Sequence, residues 1–161
     1  MYYNQPIILI MEGLFFLVFQ YFLVALNKTM QMEGSKDYKI LVVDDSTTNV
    51  VLLEAILDEK GYKIETALNA KEAYAIIDKE APDLILLDLL MPKISGFDFL
   101  EEIRKNQKTK NTPVIVVSAL TDEENVERIM KMGAIDFVKK PIDLQYLVER
   151  VESVLQKAYE S

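Results

Sequence analysis

A chain of 161 residues is long enough for one domain with a real core and leaves little for a second. Half of its residues are hydrophobic, and 26 acidic against 18 basic side chains give a formal charge of -8, which describes an acidic folded domain and excludes a binder that tracks nucleic-acid phosphates. Cysteine and histidine are both absent. That removes disulfides, thiolate and imidazole metal sites, cysteine nucleophiles, imidazole bases and phosphohistidine, so any chemistry runs on carboxylates, hydroxyls, amines and backbone.

Residues 7–26, IILIMEGLFFLVFQYFLVAL, form an apolar run interrupted by Glu12 and Gln20. Its length just suffices to span a bilayer. Glu12 opposes that reading, because an acidic residue at membrane depth costs roughly 2.5 to 3.5 kcal/mol on insertion scales. There is no basic leader and no small-residue cleavage site, so the run does not read as a cleaved signal. If it is inserted, Lys28, Lys36 and Lys39 hold the rest of the chain on the cytoplasmic side. Met30 and Met32 precede a polar stretch with which a domain could begin, so a start-site artefact is a second reading and a packing helix a third. The expected division is a hydrophobic segment and short linker over 1–36, then a folded domain over 37–159.

From Tyr38 onward short β-rich runs alternate with helical patterns. The strands read KILVVD, YKIETA, DLILLD, TPVIVVS and AIDFVKK, and the helices roughly Thr48–Lys60, Ala70–Glu80, Gly96–Asn106, Glu123–Met132 and Leu144–Ala158. The first, third and fourth strands are almost wholly apolar, as expected of a parallel sheet covered on both faces. In the second, Lys63 and Glu65 alternate with apolar neighbours, which reads as an edge. Gly61, Gly96 and Gly133 fall at element ends and are expected to adopt left-handed dihedrals.

In open parallel α/β sheets the site lies at the carboxyl ends of the strands. Those ends carry Asp44 and Asp45, then Asp88, then Ser118, then Lys139 and Lys140 before Pro141. Each has a structural reading taken singly, since Asp45 or Ser46 can cap a helix and Lys140-Pro141 can form a turn. Together they form a rim of three carboxylates, a hydroxyl and an ammonium. Clustered carboxylates repel one another unless a cation sits among them, and Mg²⁺ suits all-oxygen ligands that also receive phosphate.

These residues carry a resemblance. From about Tyr38 to Ala158, about three quarters of its length, the chain resembles a response regulator receiver domain of two-component signalling, stand-alone type. The resemblance rests on ILVVDDS, DLILLDLLMPKISG, VVSA and FVKKP in that order, with 30 residues from Asp88 to Ser118 and 22 from Ser118 to Lys140. It implies an α/β fold: a doubly wound, five-stranded parallel sheet of flavodoxin-like order 2-1-3-4-5 with five helices, bringing Asp44 and Asp45 beside Asp88. It implies that Asp88 accepts a phosphoryl group from a separate histidine kinase or phosphotransfer protein. Mg²⁺ would be held by Asp45, by Asp44 partly through water, by one Asp88 oxygen and by the backbone carbonyl of Leu90. Lys140 would pair with Asp88 and then with the phosphoryl oxygens, and the Ser118 hydroxyl would donate to one of them.

The family places its ammonium immediately before proline, which selects Lys140 and leaves Lys139 facing solvent. Phe137 matches the aromatic switch position, so Ser118 and Phe137 would couple phosphorylation to a surface of the fourth helix, fifth strand and fifth helix. That surface is expected to meet a downstream effector or a second copy of the chain. Leu90 and Leu120 occupy positions that modulate hydrolysis in the family, and neither can orient a water, so a slowly hydrolysing phosphoaspartate is expected.

Two rivals are weaker. A hydrolase of the haloacid-dehalogenase kind carries a second carboxylate two residues after its nucleophile, where Leu90 stands after Asp88. A phosphate-independent binding module of receiver fold has no need of the five chemical residues. No glycine fingerprint for a dinucleotide follows the first strand. The expectation is therefore a cytoplasmic signalling phosphoacceptor, not an enzyme, with no nucleic-acid partner and with membrane contact only through residues 7–26. Few residues follow the fifth helix, so output is expected through a surface.

Overall fold

The computed structural model describes residues 37–159, and the apolar run at 7–26 with its membrane and start-site readings lies outside them. Among the described residues no helix is long and apolar enough to cross a membrane. Five strands alternate with five helices: β1 Lys39–Val43, α1 Thr47–Glu59, β2 Lys63–Ala67, α2 Ala70–Lys79, β3 Leu84–Leu87, α3 Gly96–Lys105, β4 Val114–Ser118, α4 Glu123–Lys131, β5 Asp136–Lys139 and α5 Leu144–Tyr159. All neighbouring strands are parallel and run in the order β2-β1-β3-β4-β5.

The apolar runs follow from burial on both faces. Ile40 and Val42 of β1, Leu84 and Leu86 of β3, and Ile115 and Val117 of β4 pack with α1 and α5. Their alternates Leu41, Val43, Ile85, Leu87, Val114 and Val116 pack with α2, α3 and α4. Every residue of β3 and β4 is buried, and all are apolar except Ser118 at the carboxyl end of β4. In β2, at one edge of the sheet, Lys63 and Glu65 face solvent, as the alternation predicts.

The helices begin where short polar residues can accept from orphan backbone N–H groups. Ser46, Asn69, Ser95 and Asp122 cap α1 to α4 through their side chains, and Asp143 accepts from the Tyr146 N–H at the start of α5. Such caps are each worth about 1 kcal/mol. Asn69 is reinforced by Glu72, which accepts from the Leu68 N–H and from the Asn69 amide. The capping group sets each start, and the observed helix ends fall within one residue of those expected.

Gly61 and Gly133 take the expected positive φ, 87° and 100°. Gly96 does not, and this corrects the sequence expectation. A Cβ there would lie 2.3 Å from the Asp88 carbonyl oxygen and 2.5 Å from Leu89 Cα. Glycine is needed because the first turn of α3 packs directly onto the backbone that carries Asp88. Behind this loop, Arg104 donates to the carbonyl oxygens of Thr109, Thr112 and Gly133, tying α3 to the connection before β4 and to the turn before β5. Burial pushes the Arg104 pKa below the ordinary guanidinium value.

Candidate functional site

Strand pairing brings the acidic tips together. Val43 of β1 pairs with Leu87 of β3, and the Asp88 N–H donates to the Val43 carbonyl at 2.9 Å, so Asp44 and Asp88 emerge side by side from adjacent strands. Both are almost fully buried, Asp44 at 2% and Asp88 at 4% exposure, whereas Asp45 is exposed. Oxygen atoms of the three carboxylates lie within 4.8 Å of one another.

Two carboxylates removed from water need compensation, and the structure supplies it. Lys140 Nζ reaches Asp44 Oδ2 at 2.7 Å and Asp88 Oδ2 at 2.9 Å, a double ion pair in which the ammonium is itself half-buried. Asp44 Oδ1 accepts from the Ser46 N–H at 2.8 Å, and its Oδ2 also accepts from the Asn49 side chain at 3.0 Å. Asp88 Oδ1 accepts from the Leu90 N–H at 3.1 Å. Among the described residues no buried side-chain nitrogen or oxygen lacks a partner.

The Lys140 pKa reflects opposing causes. Burial alone would lower it, but hydrogen bonds to Asp44 and Asp88, followed by the charges of the same two carboxylates, hold it above the ordinary lysine value. The ammonium is thus locked in its charged form. Formally, three carboxylates and one ammonium leave two negative charges in excess, and the donor atoms are all oxygen. That set fits a hard divalent cation such as Mg²⁺, with the exposed Asp45 carboxylate offering the open side.

Lys140 arrives from the far side of the sheet. Ser118 at the end of β4 pairs with Lys139 of β5, and the Lys140 N–H donates to the Ser118 carbonyl at 2.9 Å. Lys139 is exposed, as expected, and the Lys140-Pro141 peptide is cis. Ser118 is fully buried, its hydroxyl oxygen accepting from the Leu120 N–H at 3.3 Å. Phe137 lies opposite Val116 on β5 and packs, half-buried, with Leu120 against the core that faces α2, α3 and α4. Leu90 is half exposed beside Asp88.

Sequence reasoning singled out every charged group in this ring but not Asn49, whose amide holds Asp44. The available signal was its place in the first turn after the Ser46 cap, four and five positions after Asp45 and Asp44.

The response regulator receiver domain family model matches residues 40–152. Protein PilH of Pseudomonas aeruginosa is 33% identical over 117 residues, covering 73% of this chain and 97% of PilH. Response regulator PleD of Caulobacter vibrioides is 39% identical over 116 residues, 72% of this chain but 26% of PleD, so the chain spans about a quarter of that relative's length. Among solved structures, the Vibrio cholerae chemotaxis protein CheY4 superposes with a TM-score of 0.71 at 30% identity, covering 74% of this chain and 99% of CheY4. A CheY-like receiver domain protein from Methanospirillum hungatei gives a TM-score of 0.72 at 29% identity, covering 78% and 98%. With its strand order, its acidic rim and these matches in agreement, the chain belongs to the response regulator receiver domain family of two-component signalling.

Proposed function

We propose that Asp88 is the phosphoacceptor of this receiver, taking a phosphoryl group from a phosphohistidine on a separate histidine kinase or phosphotransfer protein. The observation that carries this reading is the bridge from Lys140 to two buried carboxylates on adjacent strands, with a third, exposed carboxylate at its open side. Such an arrangement holds excess negative charge in place for a cation and a phosphoryl group.

In the proposed transfer an Asp88 oxygen bonds to phosphorus as the bond to the donor nitrogen breaks, with charge spread over three oxygens in the transition state. Lys140 is already positioned, so its ammonium passes from the carboxylate to the phosphoryl oxygens without reorganising from water. The Ser118 hydroxyl donates to another of those oxygens. Asp45, one oxygen of Asp88 and the Leu90 backbone carbonyl would hold Mg²⁺. Asp44 would act partly through water, a role its existing hydrogen bonds to Ser46, Asn49 and Lys140 favour. When bound, Mg²⁺ supplies charge neutralisation to the oxygens of the phosphoryl group.

Movement of Ser118 toward a phosphoryl group would release its bond to the Leu120 N–H, and Phe137, which packs against the same core as Leu120, would follow. This couples the site to the surface of α4, β5 and α5, where an effector or a second copy would bind. The receiver would occupy residues 37–159 in the cytoplasm, tethered to the inner membrane face only if 7–26 is translated and inserted, and it would catalyse no more than its own phosphorylation and dephosphorylation. Intact mass after incubation with Mg²⁺ and acetyl phosphate tests the reading. Wild type should gain one phosphoryl group and Asp88→Asn none; equal labelling of both rejects it.

A further inference from the structure

One oxygen of Asp44 is shared. Its Oδ2 accepts both from Lys140 Nζ at 2.7 Å and from Asn49 Nδ2 at 3.0 Å, while its Oδ1 accepts from the Ser46 N–H at 2.8 Å. Among the described residues the Asp88 carboxylate has no such second side-chain donor, only Lys140 and the Leu90 N–H.

The start of α1 does not account for the Asn49 amide. Ser46 caps the helix by accepting from the Asn49 N–H at 3.4 Å. A side chain three residues after a cap ordinarily bonds the cap itself. That is the pattern in α2, α3 and α4: Glu72 accepts from the Asn69 amide, Asp98 accepts from the Ser95 hydroxyl, and Asn125 donates to Asp122 at 2.8 Å. Asn49 instead reaches past its cap to a buried carboxylate five residues back that stands beside Asp88. The Ser46 N–H, the usual target of a capping side chain, is already taken by that carboxylate. The Asn49 amide serves the acidic site and not its helix.

In the transfer proposed above, the Lys140 ammonium turns from the carboxylates to the phosphoryl oxygens. Asp44 Oδ2 then loses its charged donor, and a buried carboxylate oxygen with no donor left opposes the movement. Asn49 is carried by α1, apart from the strand end that delivers Lys140, so its bond to Oδ2 survives the departure. We infer that Asn49 is a positioning residue, whose amide keeps Asp44 satisfied and oriented beside a bound cation while Lys140 leaves. The inference rests on Asp88 being the phosphoacceptor.

The test uses the full chain as wild type, as Asn49→Leu, which removes the donor at similar volume, and as Asn125→Leu, which removes the cap-serving amide of α4. Mg²⁺ alone is titrated by calorimetry, and labelling by acetyl phosphate at saturating Mg²⁺ is followed by intact mass. Asn49→Leu should bind Mg²⁺ about tenfold more weakly, the low end for loss of a group that orients a metal ligand. Its labelling rate at saturating Mg²⁺ should also fall by about tenfold, as expected when a charged acceptor is left unmet. Asn125→Leu should match wild type in both measures. Undiminished Mg²⁺ affinity or an undiminished rate in Asn49→Leu, or equal losses in the two variants, overturns the inference and leaves Asp88 as acceptor. Wild type that acetyl phosphate does not label overturns both. Should Asn49→Leu fail to fold, wild type alone decides by nitrogen-edited NMR. The Asn49 side-chain amide should stay protected from solvent exchange in the labelled protein, and an amide that exchanges freely there has left Asp44 and overturns the inference.

Discussion

Lys140 and Asp88, 52 positions apart in the sequence, meet with Nζ 2.9 Å from Oδ2, and the same ammonium reaches Asp44 at 2.7 Å. That contact depends on the sheet order, because β3 separates β1 from β4, and β5 beyond β4 must deliver its lysine across the end of the sheet. The double contact makes Lys140 the counterion for two carboxylates that the fold has buried.

Replacing Lys140 with Met removes the counterion and leaves both carboxylates uncompensated. Stability in the absence of Mg²⁺ should fall by about 2 kcal/mol, below the full cost of breaking a buried pair because the lysine is partly solvated. Urea unfolding with and without Mg²⁺ checks this, with the ion expected to restore more stability to the variant than to wild type. A variant as stable as wild type would show that the pair offsets no burial cost.

The raised Lys140 pKa sets the direction of a pH effect. In the unfolded chain this lysine loses its proton at the ordinary value, while in the fold the two carboxylates keep the proton bound to a higher pH. Its stabilising contribution is therefore complete below the ordinary lysine value and disappears as pH climbs through the folded value. Thermal unfolding on the alkaline side should show wild type losing more stability than Lys140→Met. Parallel curves for the two proteins would contradict the linkage.

Gly96→Ala should be among the most damaging single changes that touch no charged group. Its new methyl must displace the Asp88 carbonyl oxygen and Leu89 Cα, both backbone atoms. A loss of about 2 kcal/mol or more is expected from such overpacking, together with slower phosphorylation as the Asp88 loop shifts. Urea unfolding and labelling rate measured on one preparation separate the two effects, and an unperturbed variant would mean that α3 can move away at no cost.

Leu90, half exposed beside Asp88, and Leu120, half-buried after Ser118, give no polar group to orient an attacking water. Introducing Asn at 90 or Glu at 120 should speed release of phosphate from the labelled protein by about tenfold, the low end of what a positioned polar group provides. Decay followed by intact mass over time reads this directly; identical lifetimes in wild type and both variants would reject the idea.

Much of this architecture is legible in the chain itself. Leu84 to Leu87 and Val114 to Val117 are apolar without interruption because both faces of β3 and β4 are covered, and that pattern has few other solutions. The edge position of β2 shows in Lys63 and Glu65 for the converse reason. Contacts between distant residues are harder to read. The role of Gly96 depends on how closely α3 approaches the Asp88 backbone, a packing distance with no sequence pattern, so the glycine read as a helix-end conformer. The Asn49 amide on Asp44 and the Arg104 clamp on three carbonyls are equally silent, since polar residues on helices are ordinarily solvated.

The location of the phosphoryl group is the most direct test of the account. Protein labelled with acetyl phosphate and Mg²⁺ can be reduced with borohydride, which converts an aspartyl phosphate to homoserine, and then digested for peptide mass spectrometry. Homoserine at position 88 and at no other aspartate is the predicted result. Homoserine at 44 or 45, or a labelled protein with none at 88, would contradict it.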